Sequence, residues 1–139
     1  MNKDFSEYES TFWTIKYPSE WIVDAHPGGI SFYGKDSVGA LQISSYSKDR
    51  EVATEDLYEL IREELPRNVS LNNVVAGDFT GLATEFEYKN HFWRYWILSK
   101  RKVLLYVRYN CEFEDSEVER ESMEQIINSL KLQTSDSGR

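Results

Sequence analysis

Two segments constrain this chain more than any others: "FWRYWILS" (92–99) and "KVLLYVRYN" (102–110), with the polar "SKRK" (99–102) between them. Their length and their aromatic and β-branched content mark them as strands. Neither alternates cleanly between apolar and polar residues, as a strand with one solvated face does. The pattern therefore calls for a sheet covered on both faces. The short turn makes the two strands antiparallel neighbours.

The segment before them, "LATEFEYK" (82–89), does alternate, with Leu82, Thr84, Phe86 and Tyr88 against Ala83, Glu85, Glu87 and Lys89. A two-residue turn at Asn90-His91 pairs Tyr88 with Trp93, Phe86 with Tyr95 and Thr84 with Ile97 on one face. It pairs Lys89 with Phe92, Glu87 with Arg94 and Glu85 with Trp96 on the other. Burying one large apolar side chain contributes roughly 1.5–3 kcal/mol, against a domain stability of only ~5–15 kcal/mol. Idle rings are therefore costly, and Trp93, Tyr95 and Ile97 are assigned to the core. Phe92, Arg94 and Trp96 fall on the mixed face, either beneath a helix or partly open. Trp and Arg dominate binding hot spots, so these three are the candidate partner-binding residues.

The remaining elements follow from period and punctuation. Strands are expected at 11–17, 21–25, 30–33 and 38–47, separated by Pro18, "HPGG" and "GKDS". Leu57, Leu60, Ile61 and Leu65 then recur at helical spacing over 54–65, with Thr54 as N-cap and Pro66 as the stop. A linker (67–72) leads to a strand at 73–81 with a glycine bend. The last helix is expected from 116 to about 130, opened by a Ser116/Glu119 capping box. Its buried stripe is Val118, Ser122, Met123, Ile126, Ile127 and Leu130. Residues 1–132 read as one domain and 133–139 as a disordered tail. The class is α+β, a three-layer α/β/α sandwich around a mainly antiparallel sheet of about six to eight strands, with one helix on each face.

Charge and composition narrow the function classes. With 24 acidic against 16 basic residues the net charge is −8, which disfavours nucleic acid and anionic lipid and suits a partner with a basic surface. No apolar run approaches the ~18 residues of a membrane span. "MNKDFSEYES" has no apolar stretch of the kind a signal peptide carries. With residue 1 as the native start, the protein is expected in the cytoplasm. The single cysteine, Cys111, fits a reducing compartment. Its acidic context, "YNCEFED", raises a thiol pKa, so a packing role is expected over nucleophilic chemistry.

Dedicated chemistry is sparse. His26 follows Asp24 by two residues, a spacing that allows an Asp–His pair at a strand end, but no nucleophile elbow accompanies it. A solvent-facing turn residue is the expected role for His26. His91 is expected exposed at a hairpin tip. No ligand spacing for zinc or calcium is present, and no phosphate-binding loop, so neither metal nor cofactor is expected. The acidic run "EFEDSEVERE" (112–121) is expected to be the solvated start of the last helix, where negative charge complements the helix dipole.

Three stretches together resemble a known family. "FWTIKYPSEWIV" is similar to the opening of PsbP-like proteins, an aromatic strand, a "YPsxW" turn and a second strand. "GALQISSYS" resembles the following strand, and "MEQIINSLKL" the family's closing helix. The likeness runs in order along nearly the whole chain. The superfamily includes an extrinsic photosystem subunit, Ran-binding nuclear import factors and many bacterial proteins. The resemblance implies a sheet flanked by helices but no common chemistry, and no Ran-binding or photosystem-binding residues carry over. Its bacterial members are often exported or lipid-anchored, and this sequence departs from them in showing no such signal. The functional expectation is a non-enzymatic protein-binding or adaptor domain, in one form a small acidic inhibitor of the immunity type. The alternative is a small-ligand binder with a pocket between sheet and helix.

Overall fold

The computed structural model of the protein describes residues 4–133. Beyond Gln133, the expected tail lies outside the described residues. The element order is β1 (Phe5–Glu9), β2 (Trp13–Pro18), β3 (Ile22–His26), β4 (Gly29–Tyr33), β5 (Gly39–Ser47), α1 (Thr54–Glu64), β6 (Asn72–Ala76), β7 (Phe79–Tyr88), β8 (His91–Lys100), β9 (Val103–Glu112), α2 (Arg120–Ile127) and β10 (Lys131–Leu132). Seven strands form one antiparallel sheet in the order β3-β4-β5-β9-β8-β7-β6. β1, β2 and β10 form a second, three-stranded sheet.

The two long apolar strands, β8 and β9, lie near the middle of the large sheet, and each face of that sheet carries its own core. On one face, Leu57, Ile61 and Leu65 of the α1 region pack on Leu82, Tyr95, Ile97, Leu104 and Tyr106. On the other, Met123, Ile126, Ile127 and Leu130 from α2 and its exit pack with Phe92, Trp96, Leu98 and Val107. The small sheet shares this second layer: Tyr8 and Tyr17 pack their rings against Phe32 of β4 at 5.7 and 5.5 Å. The three-layer expectation holds, with the layer opposite α1 made of a helix and a small sheet together.

Strand β2, expected to lead the main meander, leaves it for the small sheet. Pro18 closes the strand, and a turn follows in which the Trp21 N–H donates to the Pro18 carbonyl at 2.9 Å. β2 is then sandwiched between β1 and β10, with Phe5 opposite Pro18 and Leu132 opposite Trp13.

The β7–β8 turn is formed by Lys89 and Asn90, both with positive φ (53° and 66°), one residue earlier than expected. Such a turn matches strand twist, and asparagine tolerates it. The register becomes Tyr88 opposite His91, Phe86 opposite Trp93 and Glu85 opposite Arg94. Moving the turn by one residue moves each pairing by two, so every side chain keeps its predicted face.

Both helices begin differently from the sequence reading. Ala53, not Thr54, is the N-cap of α1. Asp56 reaches back to accept the Ala53 N–H at 2.7 Å, and Arg50 grips the same carboxylate at 2.7 and 2.8 Å. These contacts hold the Asp56 pKa well below the usual carboxylate range, the Arg50 hydrogen bonds contributing most. The last helix does not start at Ser116. A 3-10 turn, Phe113–Asp115, comes first, and the Ser116 N–H closes it on the Phe113 carbonyl. Regular α-helix begins at Arg120. Val118, expected in the buried stripe, is consequently 63% exposed.

Between β6 and β7, Gly77 turns with φ +61°, and a Cβ there would collide with the Leu130 carbonyl. That carbonyl accepts the Asp78 N–H at 3.0 Å, and the Asp78 carboxylate accepts the Leu132 N–H at 2.9 Å. This tight turn ties the far edge of the large sheet to the strand that ends the small one.

Candidate functional site

The structure places Phe92, Arg94 and Trp96 on one face of β8, as their spacing requires, and buries all three, at 5%, 9% and 1% exposure. Arg94 forms ion pairs with Glu124 of α2 and with Glu85 of β7. Its guanidinium lies over the Trp96 ring, 4.6 Å from the centroid. Arg120 extends the cluster, donating both Nη atoms to Glu85 at 2.6 and 2.7 Å and Nε to Glu117 at 2.8 Å. Arg120 hydrogen bonds hold the Glu85 carboxyl below its usual pKa. The surface expected at Phe92, Arg94 and Trp96 is therefore occupied by α2, and these side chains fasten that helix to the sheet. Trp93, assigned to the core, is only half-buried, while Tyr95 and Ile97 are buried beneath α1.

The exposed chemistry lies on the segment that covers them. Within 112–124, Glu112, Glu114, Glu117, Glu121 and Glu124 are exposed, as are Phe113 and Val118 at 44% and 63%. Because α2 starts only at Arg120, the helix dipole accounts for just one of these acids, Glu121 in its first turn. Among the described residues, Glu112, Glu114 and Glu121 make no ion pair. Glu119 instead accepts the Tyr109 hydroxyl at 2.6 Å. Burial, then this contact, drives the phenol pKa far upward. Val118, Glu119 and Ser122 border a groove of about 500 Å³ that continues over Trp21 and Lys35. Sequence reading had the run 112–121 solvated but took it for a helix start, because the Ser116/Glu119 pair mimics one and puts Val118 in a false buried stripe.

A second cleft, about 570 Å³, opens between α1 and the β6–β7 edge, lined by Leu57, Tyr58, Val75, Thr80, Leu82 and Ser99. It mixes apolar walls with hydroxyls.

The two histidines do not make the arrangements weighed for them. His26 Nε2 lies 2.8 Å from Ser31 Oγ and 3.2 Å from Gln42 Nε2, and Asp24 is not among its partners. His91 is half-buried, with Nε2 3.1 Å from Asn110 Oδ1 and its ring tilted on Trp93 at 5.4 Å. Cys111 is buried, and burial raises its thiol pKa. Among the described residues, no three or more His, Cys, Asp or Glu side chains converge as a metal would need. No helix among them is long and apolar enough to cross a membrane.

The fold is shared with solved structures. A crystal structure of a protein from Bacteroides thetaiotaomicron VPI-5482 superposes with a TM-score of 0.70 at 16% identity, over 98% of this chain and 50% of the other. This chain thus spans half the length of that protein. The solution structure of cyanobacterial PsbP (CyanoP) from Synechocystis sp. PCC 6803 superposes with a TM-score of 0.62 at 15% identity, over 96% of this chain and 95% of the other. No protein-family model and no curated protein matches the sequence. The fold is PsbP-like, and at such identities the likeness is one of fold alone.

Proposed function

We propose that this PsbP-like domain is a non-enzymatic protein-binding module of the cytoplasm, docking a basic partner along the acidic ridge of residues 112–124. The observation that carries the reading is the exposure of Phe113 and Val118 on a segment that also carries Glu112 and Glu114, which among the described residues neither the start of α2 nor an ion pair explains. An apolar contact centre with a charged rim is the usual anatomy of a protein interface. Dense negative charge speeds encounter with a basic surface and suppresses wrong partners. The net charge of −8 disfavours nucleic acid and anionic lipid as the target. In its most concrete form the protein is a small acidic inhibitor that neutralises a basic protein, as immunity proteins do. A free, buried thiol, Cys111, suits a reducing compartment.

The test is capture from lysate on immobilised protein, comparing the native chain with a Glu114→Lys, Glu117→Lys, Glu121→Lys triple variant. The expected result is a basic protein retained at low salt by the first and not by the second. Identical retention by both would remove the ridge from the account.

A second reading rests on the cleft between α1 and the β6–β7 edge, whose volume lies within the range of ligand pockets. A ligand seated there stabilises the folded state and raises the melting temperature. A metabolite panel that raises it in the native chain and not in a Leu57→Trp variant supports this reading. A panel without effect removes it.

A further inference from the structure

α1 covers only part of its side of the large sheet. Every sheet residue in its core belongs to β7, β8 or β9. On β5, the residues facing the same way, Ala40, Gln42 and Ser44, are only half-buried, as are Ser31 of β4 and His26 of β3. Arg108 of β9 stands opposite Gln42 at the border between this open region and the aromatic cluster under α1.

Arg108 is unlike the other arginines drawn into the sheet. Arg94 and Arg120 are partly or wholly buried and take carboxylates. Arg108 is half-buried, and among the described residues its partners are all neutral. Nε donates to Gln42 Oε1 at 3.3 Å, Nη2 to Ser44 Oγ at 3.1 Å, and Nη1 to the Tyr106 carbonyl at a long 3.5 Å. The carboxylate nearest in this network, Glu64 of α1, accepts the Tyr106 hydroxyl at 3.3 Å instead. A guanidinium has five N–H donors, so two are left over. The group is also held in place. It lies over the Tyr106 ring, 4.2 Å from the centroid. Gln42 is fixed in turn by donating to His26 Nε2, and Ser44 by donating to the Gly28 carbonyl at 2.5 Å. Such a positioned fork loses little side-chain freedom on binding, and its geometry complements a carboxylate.

The relief around Arg108 indicates what carries that carboxylate. A shallow depression lies at each end of this row of β5, about 280 Å³ beside Ala40, Asn110 and Glu112, and about 300 Å³ beside Ser44 and His26, the latter reaching round the β3–β4 turn to Ile43 and Ser10. Ala40, Gln42 and Ser44 are successive same-face residues, about 7 Å apart. Arg108 stands opposite the middle residue of the row, Gln42, with a depression at either end, an order that the side chains of an extended segment laid along β5 can follow. We propose that this open face of β3, β4, β5 and β9 binds an extended segment of a partner protein, with an Asp or Glu side chain received by Arg108. The chain's own excess of acids does not forbid it. Glu112, at the end of β9, borders the depression beside Ala40 and Asn110, but the ridge from Val118 onward belongs to the segment that packs on the opposite face, and at physiological salt charge is screened beyond about 8 Å. The Glu114, Glu117 and Glu121 substitutions and the Arg108 substitutions therefore test the two surfaces separately.

The test uses the full chain and two fluorescein-labelled peptides, one alternating tyrosine with glutamate and one with glutamine in its place. Fluorescence anisotropy at physiological salt is expected to show the glutamate peptide binding about tenfold or more tighter, the scale of charge-assisted hydrogen bonds. Arg108→Gln is expected to erase that difference, Arg108→Lys to reduce it because a point charge lacks the fork, and Arg62→Gln on α1 to leave it intact. If Arg108→Gln does not fold by circular dichroism, Arg108→Lys carries the test. Equal binding of the two peptides, or a preference surviving both Arg108 variants, overturns the proposal. Glutarate binding as tightly as the peptide also overturns it, by making the site one for small anions.

Discussion

Replacing Trp96 with alanine tests whether β8 is covered on the α2 side. The ring is 1% exposed. It sits between Ala83 of β7 and Val107 of β9 in the register, and Arg94 lies over it. Deleting a fully buried tryptophan side chain costs about 3–5 kcal/mol, because transfer and cavity contributions add. That is a large share of the ~5–15 kcal/mol that holds a domain together. Taking a urea m-value of about 2 kcal/mol per M, the unfolding midpoint falls by about 2 M. Val118→Ala, at a position 63% exposed, is the control and changes stability by no more than about 0.5 kcal/mol. Equilibrium urea unfolding followed by far-UV circular dichroism reads both. A Trp96→Ala midpoint within about 0.3 M of the native chain would refute the reasoning, since it would mean that the ring is not packed beneath α2.

Gly77→Ala should destabilise by about 1 kcal/mol or more, combining left-handed backbone strain with collision against the Leu130 carbonyl. Its thermal midpoint checks this, and a neutral substitution would contradict the turn geometry. Asp56 has a folded-state pKa below its unfolded value, so its contribution is present above pH about 4 and lost as pH falls below it. Asp56→Asn should therefore lower stability at neutral pH and flatten its dependence on pH between about 4 and 2, as acid titration of the urea midpoint would show. An unchanged acid limb would remove Asp56 from the account.

The layers of the fold were legible because apolar pattern is local. Strands apolar on both faces require two covers, and β8 and β9 have them. The faces of Phe92 to Ile97 also followed from period two and survived the displaced turn. Partnership across the chain was not legible. Nothing in "TFWTIKY" distinguishes a strand of the large sheet from one that pairs with β1 and β10. The charged "FSEYE" of β1 has no apolar alternation to reveal it. The candidate residues failed as a surface for the same reason. Sequence placed Phe92, Arg94 and Trp96 on a mixed face, and their cover comes from a helix 30 residues away through the Arg94–Glu124 pair. The exposure of Val118 was hidden by a local signal that tertiary structure overrides, since Ser116 closes a 3-10 turn instead of capping α2. Arg108 gave no signal at all, because an arginine's lack of a carboxylate partner is visible only once the sheet is assembled.

On the proposed reading a basic partner docks on the ridge at 112–124 and not on β8 itself. Hydrogen–deuterium exchange of the chain, alone and saturated with the basic protein it captures, tests this most directly. Added protection is expected across residues 112–122, with none in β8 beyond that of the free protein. Protection confined to other surfaces, with the ridge exchanging as fast as before, would contradict that reading.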